Sequence, residues 1–132
     1  MFPARLSALP DVAAFIAETC AAAGIQSHLR LTLLVEELFT NTVVHGHHGE
    51  SDEPVNIALD IEPGRIAVTY EDTAPPHDPF AAVEAPDEAA GVEERPVGGL
   101  GILLVAAMAK DVQYCRAEGM NRIRLVVDAP PA

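Results

Sequence analysis

Residues 36–46 read Glu-Glu-Leu-Phe-Thr-Asn-Thr-Val-Val-His-Gly, and this stretch decides the fold. It lies in a segment that we expect to be helical from about 28 to 44, with Ser27 as the cap residue and Gly46 where the helix ends. One side of the segment repeats at the three- and four-residue spacing of a buried helix face: Leu31, Leu34, Val35, Leu38 and Thr42. The stretch therefore predicts an amphipathic helix packed on a core.

The polar side of the same helix carries candidate chemistry. Glu37, Asn41 and His45 are four residues apart and share one helix face. A carboxylate one turn from a carboxamide can hold a water or a hydroxyl while the amide oxygen ligates a hard cation. Taken alone, the motif favours the plainer interpretation, an acidic helix that exposes these residues to solvent.

Helical and strand patterns alternate on either side of this helix. An upstream helix is predicted over 12–23 with Gly24 as its cap, and residues 1–9 are compatible with a short edge strand. Apolar residues alternate over 55–61 and 66–70 around a Pro-Gly pair, which predicts a β-hairpin. Beyond it we expect a long loop, a helix and a second hairpin: 73–97, 102–109, and 112–127 with its turn at Glu118-Gly119-Met120-Asn121.

These elements define the fold class. Hairpins pair antiparallel strands, and the helices between them leave one sheet face to be covered. The sequence therefore predicts an α/β (α+β) fold, a two-layer sandwich with a mostly antiparallel, mixed sheet and its helices on one face. At 132 residues we expect a single domain, 1–132, with its core at about 5–128.

Composition restricts the partners. The formal net charge is −12, with eight basic against twenty acidic residues, which argues against a nucleic-acid surface because such a surface needs clustered Lys and Arg. A nucleotide remains compatible, since backbone N–H groups and a divalent cation can neutralise its phosphates. Cys20 and Cys115 indicate free, partly buried thiols. With neither a signal-peptide pattern nor a spanning apolar run, we expect a cytoplasmic protein without membrane contact.

A second motif lies at the end of the first predicted hairpin, where residues 70–76 read Tyr-Glu-Asp-Thr-Ala-Pro-Pro. An Asp at a strand end, followed by a Pro-rich exit, can direct its carboxylate into a pocket beyond the sheet and accept a hydrogen bond from an exocyclic amine. An ordinary Asp-initiated turn explains the pattern equally well. Asp72 is therefore a candidate ligand-binding residue.

A third motif precedes the next predicted helix, where residues 95–102 read Arg-Pro-Val-Gly-Gly-Leu-Gly-Ile. Glycines at a helix start let the backbone approach a ligand, and the free N–H groups there favour phosphate. The pattern is neither a P-loop nor a dinucleotide fingerprint. On its own it is weak, because glycine-rich helix entries are common.

The three motifs, in this order and spacing, resemble the N-box, first glycine box and second glycine box of the Bergerat (GHKL) ATPase superfamily. Within it, residues 36–45, 72–79 and 94–101 are most similar to the stand-alone anti-sigma-factor serine/threonine kinases, which have a histidine kinase-like ATPase domain. The resemblance covers about residues 5–128. It implies the Bergerat ATP-binding fold, with ATP and Mg²⁺ as cofactors.

The resemblance also implies a role for each motif. Asn41 would ligate a Mg²⁺ ion that bridges the ATP phosphates, Glu37 would be the general base toward a protein serine hydroxyl, and Asp72 would read the adenine amine. Arg95 would meet the terminal phosphate, and residues 80–97 would form a mobile lid. The other implied nucleotide contacts lie in the two glycine boxes: Ala74, Gly98, Gly99, Leu100 and Gly101.

The chain departs from the family pattern in the first glycine box. Ala74 stands where a glycine is usual, and if the position needs a positive φ the alanine costs about 1 kcal/mol or more. Pro75 also restricts Ala74 to extended conformations, and His77 stands where Phe is common. These departures bear on ATP affinity and on lid geometry.

The histidine-rich stretch after the first motif has a second interpretation. His45, His47 and His48 lie within four residues, with Glu50 and Asp52 nearby, and such a set can bind zinc weakly. A histidine matching His45 is also familiar in the N-box of the family, and the other two fit a polar loop.

On this sequence we expect an ATP- and Mg²⁺-dependent protein serine/threonine kinase. As the resemblance implies, it would phosphorylate an anti-anti-sigma (STAS-type) partner and sequester a sigma factor. Two alternatives stay open: a nucleotide-binding regulatory module that holds its partner without phosphoryl transfer, and a metal-binding or structural α/β domain with accidental motifs. A homodimer is implied by the resemblance only.

Overall fold

The computed structural model describes residues 1–25, 28–76, 105, 107 and 109–128. Within them, two helices and five strands follow the predicted order. The predicted lid at 80–97 and the glycine-rich motif at 95–101 lie outside the described residues. The predicted helix over 102–109 is described as helical only at Val105 and Ala107.

Helix α1 spans Leu9–Ala22. It starts earlier than predicted because Pro10 fits in the first turn, where the N–H that proline lacks would have no helical partner. It ends as expected before Gly24, whose φ is 76°. The positive φ allows the Ile25 amide to bond the Cys20 carbonyl at 2.8 Å, as in a Schellman C-cap.

Helix α2 spans Leu29–Asn41, and the predicted α-helix through Val44 is wrong in its last turn. Thr42–Gly46 form a π turn, in which the His47 amide donates to the carbonyl of the first turn residue at 2.8 Å. The predicted apolar face is confirmed, since Leu31, Leu34, Val35, Leu38 and Thr42 are all buried. The π turn places His45 off the regular helical stripe that holds Glu37 and Asn41.

The sheet contains five strands: β1 (Phe2–Pro3), β2 (Pro54–Glu62), β3 (Arg65–Asp72), β4 (Lys110–Ala117) and β5 (Met120–Asp128). Their spatial order is β1-β2-β3-β5-β4, and each neighbouring pair is antiparallel. Both predicted hairpins are present, as β2–β3 and β4–β5, and β1 is the predicted edge strand. The predicted α/β sandwich is therefore confirmed, and its five described strands pair antiparallel throughout, without the mixed pairing that was predicted.

The turn of the second hairpin is tighter than predicted. Glu118 and Gly119 form a two-residue loop with φ values of 55° and 78°, and Ala117 pairs with Met120. Two positive φ values in a two-residue loop match the twist of the flanking strands, as in a type I′ turn. Met120 and Asn121, which the sequence placed in the turn, therefore belong to β5.

The core lies between the helices and one face of the sheet. Its largest fully buried side chains are Tyr70 and Phe39, and most of the rest are aliphatic residues from α1, α2 and alternate positions of the strands, including Val12, Ile16, Ile66, Val68, Ile123 and Leu125. Cys20 is buried there, whereas Cys115 is exposed on β4 at the sheet edge. The prediction of two partly buried thiols is thus wrong for Cys115.

Candidate functional site

Asp72 is the last residue of β3, and the strand alternation that buries Val68 and Tyr70 directs it to the same face. It is only 7% exposed, and the other buried polar residues of the described chain are Thr42 and Asn121. Hydrogen bonds join all three. The polar groups of the core therefore converge at one place, where β3, the end of α2 and the start of β5 meet.

The Asp72 carboxylate accepts three hydrogen bonds from described residues. Oδ2 accepts one from the Thr42 hydroxyl at 2.8 Å, and Oδ1 accepts one from the Asn121 amide at 2.9 Å and one from the Ala74 backbone N–H at 3.1 Å. A carboxylate has about four acceptor positions, so the described residues leave one, on Oδ2. The bond from the Ala74 N–H forms the Asp-initiated turn that the sequence also suggested. This turn uses Oδ1 and leaves the acceptor position on Oδ2 open.

Two buried hydroxyl groups support Asp72 from the core side. Tyr70 Oη lies 2.6 Å from Thr42 Oγ1 and 3.2 Å from the Leu38 carbonyl oxygen, and Thr42 Oγ1 lies 3.1 Å from the same carbonyl. Burial raises the pKa of Tyr70, opposed by its bond to Thr42 and reinforced by the Asp72 charge. The phenol therefore keeps its proton.

Asn121 and Arg116 fix the chain where it leaves β3. The Asn121 amide nitrogen lies 3.1 Å from the Ala74 carbonyl and 3.1 Å from the Pro75 carbonyl, and Arg116 Nη1 donates to Ala74 at 2.6 Å. The Tyr114 hydroxyl in turn donates to Asn121 Oδ1 at 2.6 Å. The second hairpin thus determines the conformation of the first glycine box.

Sequence reasoning missed these supporting residues. Thr42 was assigned to the apolar face, and Asn121 was assigned to a turn. A signal for Asn121 was present, because it continues the two-residue alternation of Ile123, Leu125 and Val127 onto the buried face.

A positive φ at Ala74 would have strained the alanine, because a glycine is usual at this position of the glycine box. The φ of Ala74 is not positive; the described non-glycine residues with positive φ lie elsewhere. Its side chain is completely buried. A Cβ placed on Gly46 would come within 3.0 Å of the Ala74 Cβ. Glycine is therefore needed at the end of the π turn, and Ala74 fills the space that Gly46 leaves.

Glu37 and Asn41 lie one turn apart on α2, as predicted, and both are half-buried. No described residue forms a hydrogen bond or an ion pair with the Glu37 carboxylate. The other predicted phosphate-binding residues, Arg95 and the glycine-rich 98–101, lie outside the described residues. Among the described residues no group of three His, Cys, Asp or Glu side chains could hold a metal ion.

The sheet, its helices and the strand-end carboxylate beside a helix end define a GHKL-type ATPase fold. A family model for the histidine kinase-like ATPase domain matches residues 2–127. Because the match covers nearly the whole sequence, the chain belongs to the histidine kinase-like ATPase domain family. As a member of this class it is an ATP-binding domain, and Mg²⁺ usually accompanies the nucleotide. The predicted superfamily is thereby confirmed.

Solved histidine kinases share the fold. The catalytic domain of histidine kinase ThkA matches with a TM-score of 0.57 at 11% identity, over 96% of this chain and 94% of that one. The mycobacterial sensor histidine kinase MprB gives 0.54 at 17%, over 94% and 97%. The histidine kinase domain of a blue-light activated kinase from Erythrobacter litoralis gives 0.50 at 18%, over 93% and 60%. No curated protein matches the sequence.

No helix in the described part of the chain is both long and apolar enough to cross a membrane.

The described residues fit ATP and Mg²⁺. The open acceptor position on Asp72 suits an amine donor such as that of adenine. Asn41 has a carboxamide oxygen and lies one helical turn from Glu37 on α2, and oxygen is the ligand type that Mg²⁺ prefers. A Mg²⁺ ion that bridges phosphates takes only one or two protein ligands and keeps several waters, so a single Asn agrees with a nucleotide-bound ion.

Proposed function

We propose that this chain is a cytoplasmic, ATP- and Mg²⁺-dependent protein serine/threonine kinase that regulates a sigma factor. The observation that carries the proposal is the Asp72 carboxylate, which three donors hold in place with one acceptor position left open. It lies beside the end of α2, the helix that bears Glu37 and Asn41. The group that would bind the base, Asp72, is therefore hydrogen-bonded to the residue that follows α2, the helix whose Glu37 and Asn41 would face the phosphates.

At the nucleobase end, Asp72 would accept a hydrogen bond from the adenine amine. Its environment is already arranged for this, because the supporting bonds fix the carboxylate before any ligand arrives. Binding then costs little reorganisation, which is the general advantage of a preorganised site.

At the phosphate end, the bound Mg²⁺ supplies charge neutralisation for the phosphates. The carboxamide oxygen of Asn41 would hold the ion. The Glu37 carboxylate would accept the proton of a protein serine hydroxyl as the serine oxygen bonds to the γ-phosphorus. The bond from that phosphorus to the β–γ bridging oxygen breaks, and ADP leaves. Phosphoryl transfer depends mainly on such positioning and charge stabilisation.

The protein partners follow from the three motifs, which are most similar to those of the stand-alone anti-sigma-factor kinases. We propose a STAS-type anti-anti-sigma protein as the phosphoacceptor and a sigma factor as the sequestered partner. Phosphorylation of the former would control the release of the latter. A homodimer is the assembly that we propose for this activity.

A second candidate function is a nucleotide-binding regulatory module without phosphoryl transfer. It is favoured by one contrast in the structure: the Asp72 end is held by several hydrogen bonds, whereas no described residue orients the Glu37 carboxylate. Such a module would use ATP to set the conformation that binds its partner.

The proposal is tested first by calorimetry of ATP binding, with and without Mg²⁺, on wild type, Asp72→Asn and Asn41→Ala. We expect Mg²⁺-dependent binding that Asp72→Asn abolishes and that loses its metal dependence in Asn41→Ala. Absence of ATP binding by the folded wild type would refute the nucleotide half of the proposal.

The kinase step is tested with radiolabelled ATP and a STAS-type protein from the same genome. Label should pass to the wild-type acceptor and not to one with its phosphoacceptor serine changed to alanine. Glu37→Gln should abolish transfer while ATP affinity stays the same. ATP binding without transfer, with partner binding still nucleotide-dependent, would favour the regulatory module.

A further inference from the structure

Two exposed leucines lie on helix α2 ahead of Glu37. Leu29 is 69% exposed and Leu33 is 47% exposed, whereas the other leucines of this helix are buried. Single exposed apolar residues are common on protein surfaces and need no explanation. These two are four residues apart, so their side chains are neighbours on one side of the helix. They therefore form a small continuous apolar surface.

This apolar surface leads to the phosphate end of the candidate site. Leu29, Leu33, Glu37 and Asn41 follow one another at intervals of four residues, and such positions form a single ridge along an α-helix. At a rise of about 1.5 Å per residue, the two leucines lie about 6 and 12 Å from Glu37 along the helix axis. A domain of about 100 residues has a radius of gyration of about 13 Å, so a globular partner at Glu37 can cover both leucines.

The sequence around these leucines lacks acidic residues. The chain has twenty acidic residues against eight basic ones, yet none of the acidic residues falls within 19–35. The one Lys or Arg of that stretch is Arg30, which is exposed between the two leucines in the sequence. The start of α2 therefore presents apolar side chains and one positive charge, on a chain whose net charge is −12.

We propose that Leu29, Arg30 and Leu33 form the docking surface for the protein phosphoacceptor. This inference rests on the proposed function, because it assumes that a serine approaches Glu37. The partner that fits has apolar side chains near its phosphoacceptor serine and a carboxylate that faces Arg30. By covering the leucines, such a partner would hold its serine at Glu37 without any contact between the leucines and the nucleotide.

A second copy of this chain fits the surface less well. In a two-fold symmetric contact each surface faces itself, so two Arg30 side chains would share the interface and no acidic residue of the same stretch would pair with them. The contact would also cover the ridge beside Glu37 and obstruct the approach of a serine. A separate acceptor supplies both the carboxylate and the serine.

The experiment uses the full chain and the STAS-type acceptor of the kinase test, with its phosphoacceptor serine changed to alanine so that no transfer occurs. Calorimetry in the presence of Mg²⁺-ATP measures the affinity. The double variant Leu29→Gln/Leu33→Gln should bind the acceptor about tenfold more weakly or worse, because the two exposed fractions amount to about one leucine side chain removed from water. Glutamine is a comparable helix former, so folding and ATP affinity should stay the same.

The matched control is Leu6→Gln. Leu6 is also exposed, at 39%, but it lies in the 3₁₀ turn Leu6–Ala8 and not on α2, so this variant should bind the acceptor as wild type does. Arg30→Glu should weaken the complex, whereas Arg30→Lys, which keeps the charge, should largely preserve it. With the serine-bearing acceptor and radiolabelled ATP, the double variant should show a higher KM for the acceptor and not a lower rate at saturating acceptor.

The outcomes separate the inference from the proposed function. Unchanged acceptor affinity in the folded double variant, while wild type transfers phosphate, would overturn the inference and leave the proposed function intact. If analytical ultracentrifugation showed that the double variant converts a wild-type dimer to monomers, the surface would belong to a second copy, and the inference would again be overturned. A wild type that binds ATP but neither binds nor phosphorylates the acceptor would refute the proposed function, and the inference with it.

Discussion

The two ends of the candidate site are built differently. Asp72 is buried and receives three hydrogen bonds, from the π turn that follows α2, from β5 and from its own exit segment. Glu37 is half-buried on α2, and no described residue bonds its carboxylate. On the proposed function, Asp72 would read a base and needs a fixed orientation, whereas Glu37 would serve Mg²⁺, phosphates and a protein hydroxyl and must admit all of them. Asp72 therefore combines structural hydrogen bonds with its proposed binding role, whereas no described residue gives Glu37 a structural bond.

The largest effect on stability should come from removing the Asp72 carboxylate, which several hydrogen bonds hold in place. Asp72→Ala leaves the Ala74 N–H and part of the Asn121 amide without acceptors, so we expect the free energy of unfolding to fall by about 3 kcal/mol. Chemical denaturation monitored by circular dichroism measures this change.

The variant to compare with Asp72→Ala is Glu37→Ala, at the end of the site where no described residue bonds the carboxylate. Because no described residue bonds Glu37, its stability change should stay within about 0.5 kcal/mol. Equal losses in the two variants would contradict the comparison, since they would mean that Glu37 also has a structural role.

The next largest effect on stability concerns the close contact between Gly46 and Ala74. Gly46→Ala brings a Cβ to 3.0 Å from that of Ala74, at a point where the β3 exit meets the π turn. We expect overpacking to lower the free energy of unfolding by about 2 kcal/mol, as measured by chemical denaturation.

The reciprocal variant tests the cause. Ala74→Gly alone should cost about 1 kcal/mol, because it adds backbone freedom and deletes a buried methyl. In the double variant the two changes should offset each other in part. Strict additivity would show that Gly46 is needed for another reason.

Local periodicity was sufficient to predict most of the fold. The helix face of Leu31, Leu34, Val35 and Leu38 and both hairpins depend on spacing between near neighbours, and the structure contains them as predicted. Asp72 was placed correctly at a strand end for the same reason. Such features are determined by residues that are close in the sequence.

The errors occur where distant residues decide the outcome. The π turn at Thr42–Gly46 carries a threonine that bonds Tyr70 and Asp72 across the core, and periodicity does not distinguish such a turn from an α turn. Asn121 was assigned to a turn because Asn favours turns, although its position in the alternation buries it. The bond from Arg116 to Ala74 spans 42 residues of sequence, and no local pattern predicts it.

The third effect tests the hydroxyl pair by pH. Since burial raises the pKa of Tyr70 above its ordinary value of 10.0, the unfolded chain releases this proton at alkaline pH while the folded chain retains it. The stability due to Tyr70 is therefore complete below about pH 10 and falls as the pH rises further, by up to about 1.4 kcal/mol per pH unit.

Tyr70→Phe should lower the free energy of unfolding by about 1 kcal/mol near neutral pH. It should also reduce the decline of that free energy at alkaline pH. Denaturation at pH values from 8 to about 11 measures both, with Tyr114→Phe, the other tyrosine of the chain, as the comparison. An alkaline slope as steep in Tyr70→Phe as in wild type would place the titration at another group.

The smallest effect distinguishes the two supports of the exit segment. Arg116 Nη1 donates to the Ala74 carbonyl, but Asn121 also contacts this carbonyl, so the arginine is partly redundant. Arg116→Met, which retains the aliphatic stem, should lower stability by only about 0.5 kcal/mol. Arg124→Met on the exposed face of β5, where no described residue forms a hydrogen bond or ion pair with the arginine, is the control and should be neutral. If Arg116→Met cost as much as Asp72→Ala, the support of the Asp72 end would depend chiefly on the edge strand, and the buried amide of Asn121 would be the redundant partner.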